Sequence, residues 1–377
     1  MSNKTSQTII AVLVSLCIIA AVIYLEKGRV RSTGAGANDS TIVLKTEGER
    51  IAEKNGKYGR AKEISTPDGF INSEPFSITG LIGKKVILVD FWTYSCINCQ
   101  RTLPYLNSWH KAYEDDGLVI IGIHTPEFEF EKDYDNVKSA VQKYEVEYPV
   151  VLDNDFSTWR AYNNRYWPRK YLIDIDGFIV YDHIGEGAYE ETEKRIQEAL
   201  RERAVVLGED EDRIFSDTGK SEDVVLNNGV KTPEIYFGFS RIEYLSNLPS
   251  DDCFRRVCRY KLSEPPLNRF SLSGDWIIGS ESATLSSGTG TISLYFLAKE
   301  VNMVAGSSLD DEVKVKIYID GSLISESNRG LNVSEDGVIT IKSHDLYNLV
   351  KLQKSESHML KIEVIEGSLE AFTFTFG

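Results

Sequence analysis

The sequence predicts, in chain order, an N-terminal transmembrane helix, an α/β layered domain and an all-β jelly-roll sandwich. Three observations carry this. A long apolar run near the start has no charge, apolar β-like runs alternate with helical patterns from about residue 64, and short alternating strands separated by Gly, Ser, Asp and Asn take over beyond residue 231. At 377 residues the chain also exceeds the roughly 100 to 200 residues of one ordinary domain.

Thr5 to Leu25 contains no charged residue, and Ile9 to Leu25 (IIAVLVSLCIIAAVIYL) is almost wholly apolar. That length crosses a hydrocarbon core of roughly 30 Å, so residues 1–32 read as a membrane anchor. The alternative is a cleaved signal peptide, with Ala35-Gly36-Ala37 as an A-x-A-like site, but that site lies about a dozen residues beyond the apolar run. Cys17 sits inside the run and reads as a small buried hydrophobe. Residues 33–63 are rich in Gly, Ala, Ser, Lys and Glu with few large apolar side chains, the composition of a stalk.

Residues 64–206 form the α/β domain. Strands are expected at Lys85 to Trp92, Leu118 to His124, Tyr148 to Leu152, Lys170 to Ile175 and Phe178 to His183. Helices are expected between them at Cys99 to Glu114, Asp135 to Tyr144, Phe156 to Tyr162 and Tyr189 to Arg203. Residues 207–231 are acidic, polar and without a period, which marks a linker. In the last domain, residues 232–377, strands are expected at Trp276 to Ile278, Thr291 to Ala298, Val313 to Ile319, Gly337 to Lys342, Met359 to Val364 and Glu370 to Phe376.

The formal charge is −15, from 42 basic and 57 acidic residues, with no long basic block. Such a chain has no nucleic-acid surface, and an anionic membrane surface would repel it.

Chemistry concentrates in "VDFWTYSCINCQRTLPYL" (Val89 to Leu106), where Cys96 and Cys99 follow an apolar strand and open a helical pattern. A cysteine at a helix N-terminus faces unpaired backbone N–H groups and the positive end of the helix dipole, which favours the thiolate. Cys96 is then the nucleophile, and two intervening residues bring Cys99 within disulfide reach on the more buried side of the helix. A zinc site needs four ligands, and the chain has no second C-x-x-C or closely spaced His pair; His110 and His124 are isolated. No metal is expected, and a redox dithiol is favoured over an incidental pair. Cys253 and Cys258 lie in DDCFRRVCRY with no neighbouring His. A local structural disulfide, free thiols and a second redox centre are the readings open to them.

The run Val-Asp-Phe-Trp, then Cys-x-x-Cys, then a helix containing Pro104, resembles the thioredoxin superfamily. The segment from His124 to Leu152, inserted ahead of Trp167-Pro168, is similar to its TlpA and ResA-like (redoxin) branch. "FWTYSCINCQRTLPY", "HTPEFEFEK", "YPVVLDND", "NRYWPRKYLID" and "GEGAYEET" together resemble the periplasmic thioredoxin-like part of DipZ proteins. "TPEIYFGF", "LSGDWIIGSES" and "LEAFTFTFG" resemble the carbohydrate-binding-module-like β-sandwich that follows it in those proteins. DipZ proteins also carry a CcdA-like polytopic domain, whereas this chain has one span.

The resemblance implies a thiol–disulfide oxidoreductase in which Cys96 is the nucleophile, Cys99 the resolving thiol, Asp90 a buried proton acceptor and Pro168 the cis-proline that receives substrate. Trp92 and Trp167 flank the dithiol as packing or substrate-positioning groups. Glu127, Glu129 and Glu131 lie in the insert and could modulate the site, although an exposed acidic face is the ordinary reading. No cofactor is implied beyond a redox-active Cys96–Cys99 disulfide. Partners implied are protein disulfide substrates and a separate CcdA-like membrane electron donor, with glycan a further candidate through Trp276, Tyr236 and Tyr318 of the β-sandwich.

Lys27, Arg29 and Arg31 follow the span while only Lys4 precedes it, and charge alone would hold the C-terminal side in the cytoplasm. An anchored dithiol is nevertheless better suited to the oxidising side, so the expectation is a periplasmic or extracellular reductase. Two alternatives stand beside it: a thiol peroxidase, because Thr93-x-x-Cys96 echoes a peroxide-binding hydroxyl, and a glycan-binding surface protein with a thioredoxin scaffold.

Overall fold

A computed structural model describes residues 45–210, 232–309 and 312–377. The expected anchor over 1–32, with Cys17, and most of the linker over 207–231 lie outside the described residues. No helix among the described residues is long and apolar enough to cross a membrane.

The stalk expected over 33–63 is not borne out where it is described. Helix α1 (Glu47–Lys54) begins at Thr46, whose side chain and that of Glu49 form a reciprocal capping box. Arg50 and Lys54 then pin it to the following domain through Asp176, with Arg50 Nη2 at 2.8 Å and Lys54 Nζ at 2.9 Å. Lys54 also meets Asp174 at 2.6 Å and Glu202 at 2.7 Å. Polar composition concealed a helix held by charge rather than by an apolar face.

The α/β domain follows as β1 (Gly59–Arg60), β2 (Gly69–Ile71), α2 (Ile78–Leu81), β3 (Val86–Trp92), α3 (Ile97–Tyr113), β4 (Leu118–His124), α4 (Tyr134–Lys143), β5 (Val150–Leu152), α5 (Ser157–Ala161), β6 (Arg169–Ile173), β7 (Phe178–Ile184) and α6 (Tyr189–Leu207). Its sheet runs in the order β1-β7-β6-β3-β4-β5-β2. β4 is parallel to β3 and to β5, and β6 is antiparallel to β3. Every residue of β3 is buried, as its unbroken apolar run requires of a central strand covered on both faces. Val86, Leu88 and Trp92 share one core with Cys99, Leu103, Leu106, Ile196 and Leu200 from α3 and α6. Ile87, Val89 and Phe91 face the other way, into a core with Ile121, Tyr162 and Tyr171. Strand alternation therefore turns Asp90 toward α3, the helix that carries the dithiol.

The C-terminal region is all antiparallel apart from isolated bridges. β8 (Ile235–Tyr236), β9 (Val257–Tyr260), β10 (Arg269–Ile278), β11 (Ala283–Ser307), β12 (Val313–Ile319), β13 (Ser322–Leu323), β14 (Val338–Ile341), β15 (Asp345–Glu366) and β16 (Leu369–Phe376) form one nine-stranded sheet. The short strands expected at Thr291 to Ala298 and Met359 to Val364 are parts of β11 and β15, which have 25 and 22 residues. Register shifts between Ala298 and Glu300, and between Val301 and Asn302, let that long pair bend and continue. A single core, with Trp276, Phe270, Phe296, Ile317, Leu360 and Phe374 among its members, lies within it.

Candidate active site

Cys96 is the N-cap of α3, in extended conformation, and its sulfur accepts the Cys99 backbone N–H at 3.4 Å. The helix begins at Ile97, two residues earlier than its apolar period implies, because the cysteine itself caps it. Cys96 is half-buried, while Cys99 is fully buried one turn on, and both are free thiols. Burial, then the hydrogen bond with Cys96, pushes the Cys99 thiol up. The pair thus combines an accessible sulfur supported by a backbone donor with a sheltered sulfur that keeps its proton until a base removes it.

Asp90 supplies a carboxyl on the same face of β3. It is 1% exposed, and burial raises it to about 7 against the opposing pull of Lys170. Lys170 stands opposite Asp90 in the β3–β6 register, with its ammonium 3.9 Å from Asp90 Oδ1. Its own burial lowers it, and neither Asp90 Oδ1 nor Lys170 Nζ has a hydrogen-bond partner. A carboxyl poised near neutrality beside a protonated thiol is suited to proton transfer. Sequence reasoning missed Lys170 because its significance lies in cross-strand register.

The peptide bond between Trp167 and Pro168 is cis, and Pro168 is buried. Trp167 is held by an indole N–H bond to Thr125 O at 3.0 Å and packs on Trp159 with ring centroids 4.3 Å apart. Trp92 differs from the expected positioning role: it is 1% exposed and packs edge-on against His124 at 5.2 Å. Of the two tryptophans it is Trp167 that lines the cleft at Cys96.

The turn before the dithiol is fixed from below. His124, at the end of β4, accepts the Tyr94 N–H at 3.3 Å and lies 3.4 Å from Thr93 Oγ1. Burial brings it down to about 3, so it is a neutral interior imidazole. Glu131 is also fully buried, contrary to the exposed acidic face expected for the insert. It accepts Ser95 Oγ–H at 2.6 Å, Glu127 N–H at 2.5 Å and Phe128 N–H at 3.0 Å. Burial outweighs these bonds and raises it to about 7. One carboxyl thereby ties the dithiol turn to the inserted loop.

That loop grips the C-terminal region. Phe130 stacks on His344 at 4.8 Å and meets Phe372 edge-on at 4.7 Å, while Phe128 lies 5.2 Å from Phe372. Glu127 pairs with Arg241 at 2.7 Å and accepts the Tyr236 hydroxyl at 2.8 Å. Glu129, by contrast, is exposed. Beyond the loop, Arg101 reaches Glu300 at 3.2 Å and Lys143 reaches Asp345 at 2.5 Å. Between the two regions opens a cleft of about 400 Å³, with Cys96 and Trp167 on one wall and Tyr236, Arg241 and Phe376 on the other.

The aromatic platform expected for glycan does not assemble. Trp276 is fully buried and donates to Ser273 O at 2.9 Å, and Tyr236 lies under the Arg241 guanidinium at 3.6 Å. Tyr318 sits on β12 beneath Lys361. Cys253 and Cys258 form a disulfide at the start of β9 and the turn before it. Among the described residues no group of three or more His, Cys, Asp or Glu could hold a metal ion.

Comparison with known proteins agrees with this geometry. A family model described as the AhpC/TSA family matches residues 59–182, and one described as the thioredoxin like C-terminal domain matches residues 232–377. The chain is similar to protein DipZ of Mycobacterium tuberculosis, at 36% identity over 256 residues. That match covers 66% of this chain but only 35% of DipZ. It is similar as well to the thiol-disulfide oxidoreductase YkuV of Bacillus subtilis, at 30% identity over 37% of this chain and 93% of YkuV. The thiol-disulfide oxidoreductase ResA of Bacillus cereus is 32% identical over 32% of this chain and 73% of ResA. With a Cys-x-x-Cys at the head of α3, Trp167 of a cis-prolyl bond lining the same cleft as Cys96, and relatives matched over most of their length, the chain belongs to the thioredoxin-like thiol–disulfide oxidoreductases.

Proposed function

We propose that the protein is a membrane-anchored thiol–disulfide reductase working on the periplasmic or extracellular side. The observation that carries the redox reading is the asymmetry of the dithiol: Cys96 half-buried at a helix cap, Cys99 fully buried behind it. In the cycle, the Cys96 thiolate attacks a substrate disulfide and forms a mixed disulfide. Cys99 then gives its proton to Asp90 and attacks Cys96 Sγ, which releases the reduced substrate and leaves a Cys96–Cys99 disulfide. Pro168 and Trp167 present the backbone and ring against which the substrate chain lies. A separate CcdA-like membrane protein returns two electrons, protein disulfides are the substrates, and the apolar run from Ile9 to Leu25 is the anchor. The C-terminal region acts as a jelly-roll module fixed beside the dithiol. Reduction of a protein disulfide by the chain, abolished by Cys96→Ser and stalled as a mixed disulfide by Cys99→Ser, is the test; turnover that survives Cys96→Ser rejects the proposal.

A second reading, a thiol peroxidase using the same cysteines, draws on the match to the AhpC/TSA model and on Thr93 three residues ahead of Cys96. Against it, the Thr93 side chain is buried toward His124. Stopped-flow oxidation of the reduced protein by hydrogen peroxide separates the two: a peroxidase reacts with peroxide far faster than with a disulfide, and a reductase does the reverse.

A further inference from the structure

We propose that the cleft between the dithiol and the C-terminal region is a binding site for a small disulfide carrying a carboxylate near its S–S bond, with Arg165 as the carboxylate-binding group. This rests on the oxidoreductase reading and adds a small-molecule substrate class to the protein disulfides proposed above. The cleft encloses about 400 Å³, within the roughly 300 to 1,000 Å³ range of small-ligand pockets. Its walls come from both regions, so the second region shapes what reaches Cys96.

The charges in the cleft decide which small disulfide fits. The Glu127 carboxylate is already engaged by the Arg241 guanidinium at 2.7 Å and by the Tyr236 hydroxyl at 2.8 Å. Glu234, which is exposed to solvent, lies 2.7 Å from the same hydroxyl. Both acids of this cluster therefore have partners within it, and Arg241 is committed to Glu127. Arg165 is different: it lines the cleft, is exposed, and has no ion-pair partner among the described residues. In a chain of net charge −15, the cleft at the dithiol thus presents a free guanidinium. A planar guanidinium binds a carboxylate through two parallel hydrogen bonds. Thr375 Oγ1, on the opposite wall, is buried without a hydrogen-bond partner, a second polar group with unused capacity at the cleft.

The chemistry balances without another reactant. Cys96 attacks one sulfur of the bound disulfide, the S–S bond breaks, and the first thiol leaves with the proton that Cys96 gives up. Cys99 then attacks Cys96 Sγ, and its proton passes by way of Asp90 to the second thiol. Two electrons move from the dithiol to the substrate, which yields two thiols and one Cys96–Cys99 disulfide.

The test uses the reduced full chain and three probes of similar size: dithiodiglycolate, which has two carboxylates, neutral hydroxyethyl disulfide, and cystamine, which has two ammonium groups. Single-turnover rates are each divided by the rate of dithiothreitol with the same probe, which removes intrinsic reactivity. The expected order is dithiodiglycolate, hydroxyethyl disulfide, cystamine, with about tenfold between first and last, the scale of one charged hydrogen-bonded contact. Arg165→Glu inverts the order of the two charged probes, and Arg165→Gln brings their normalised rates together. Equal normalised rates for all three probes, or an order unchanged in Arg165→Glu, overturns the inference while the oxidoreductase reading stands. Failure to reduce any probe overturns the inference, and failure to reduce a protein disulfide as well overturns the oxidoreductase reading.

Discussion

Asp90 and Lys170 face each other from adjacent strands, 3.9 Å apart, and both side chains are sealed from solvent directly beneath the dithiol helix. Ion pairs buried at this depth contribute little net stability, because desolvation of both charges offsets their attraction. In the proposed cycle they serve the proton chemistry of the neighbouring thiol. With the carboxyl raised to about 7, Asp90 can take and return a proton near neutral pH.

Asp90→Asn is accordingly expected to slow release of substrate from the mixed disulfide by about 10- to 100-fold, within the usual range for loss of a general base. The wild-type rate should rise with pH through a group titrating near 7, and the variant should lack that limb. Rapid-quench measurement of the Cys96 mixed disulfide across pH checks both effects.

Lys170→Met leaves Asp90 with burial unopposed, so the acidic limb of the rate profile should move to higher pH. Stability should respond in the same direction. Asp90 is raised in the fold, so the folded state binds more protons than the unfolded chain between roughly pH 4 and about 7, and stability falls as pH rises through that window. Without Lys170 the window extends upward. Urea unfolding should show a cost of about 3 kcal/mol at pH 8 and a smaller one at pH 5.

Glu131→Gln replaces one of the two acceptor oxygens by an NH2 group, so either Ser95 or the Glu127 and Phe128 N–H groups lose their acceptor. An orphaned buried N–H costs about 1–3 kcal/mol, so a loss of about 2 kcal/mol is expected in chemical denaturation. Hydrogen exchange should quicken in the turn from Thr93 to Ser95 and in the loop around Phe128. A change confined to one of these segments would contradict the tie described between them.

Phe130→Ala removes the ring that joins His344 and Phe372. A loss of about 3 kcal/mol is expected from a partly buried aromatic truncated in a packed contact. Limited proteolysis should then cut between the two regions while each keeps its secondary structure by circular dichroism.

The dithiol was legible because its signal is local: an apolar strand, a short turn and a helical pattern put Cys96 at a helix start without any tertiary information. Asp90 was legible through the resemblance, which matches it to a buried carboxylate on the same strand. Lys170 was not, because its partner depends on the register of β6 against β3. Glu131 was misread since alternating charge in EFEFEK looks solvated, whereas the short 3₁₀ turn from Glu129 to Lys132 turns that carboxyl inward onto backbone donors. In the C-terminal region the pattern located Val313–Ile319 to the residue, but it stopped short in β11 and β15, where polar stretches such as QKSESH continue the ladder across a bulge. The cleft lay beyond sequence reading altogether: Tyr236 and Cys96 are 140 positions apart, and the packing of Phe128 and Phe130 with the ion pairs of Glu127, Arg101 and Lys143 brings their surroundings together.

Cys253→Ser separates the two cysteine pairs. The Cys253–Cys258 bridge closes a short loop far from the dithiol in sequence, so its loss should lower stability by about 2 kcal/mol and leave disulfide reduction by Cys96 unchanged. Coupled enzyme assay alongside thermal denaturation checks the pair of outcomes.

The most direct test of the account is an equilibrium redox titration of the protein against glutathione, read by mass shift after alkylation. The account predicts that Cys96 and Cys99 become labelled together as one two-electron couple, at or below about −220 mV, and that Cys96→Ser abolishes it. A couple near about −120 mV would contradict the reductase assignment, and independent one-by-one labelling of the two thiols would contradict the dithiol mechanism itself.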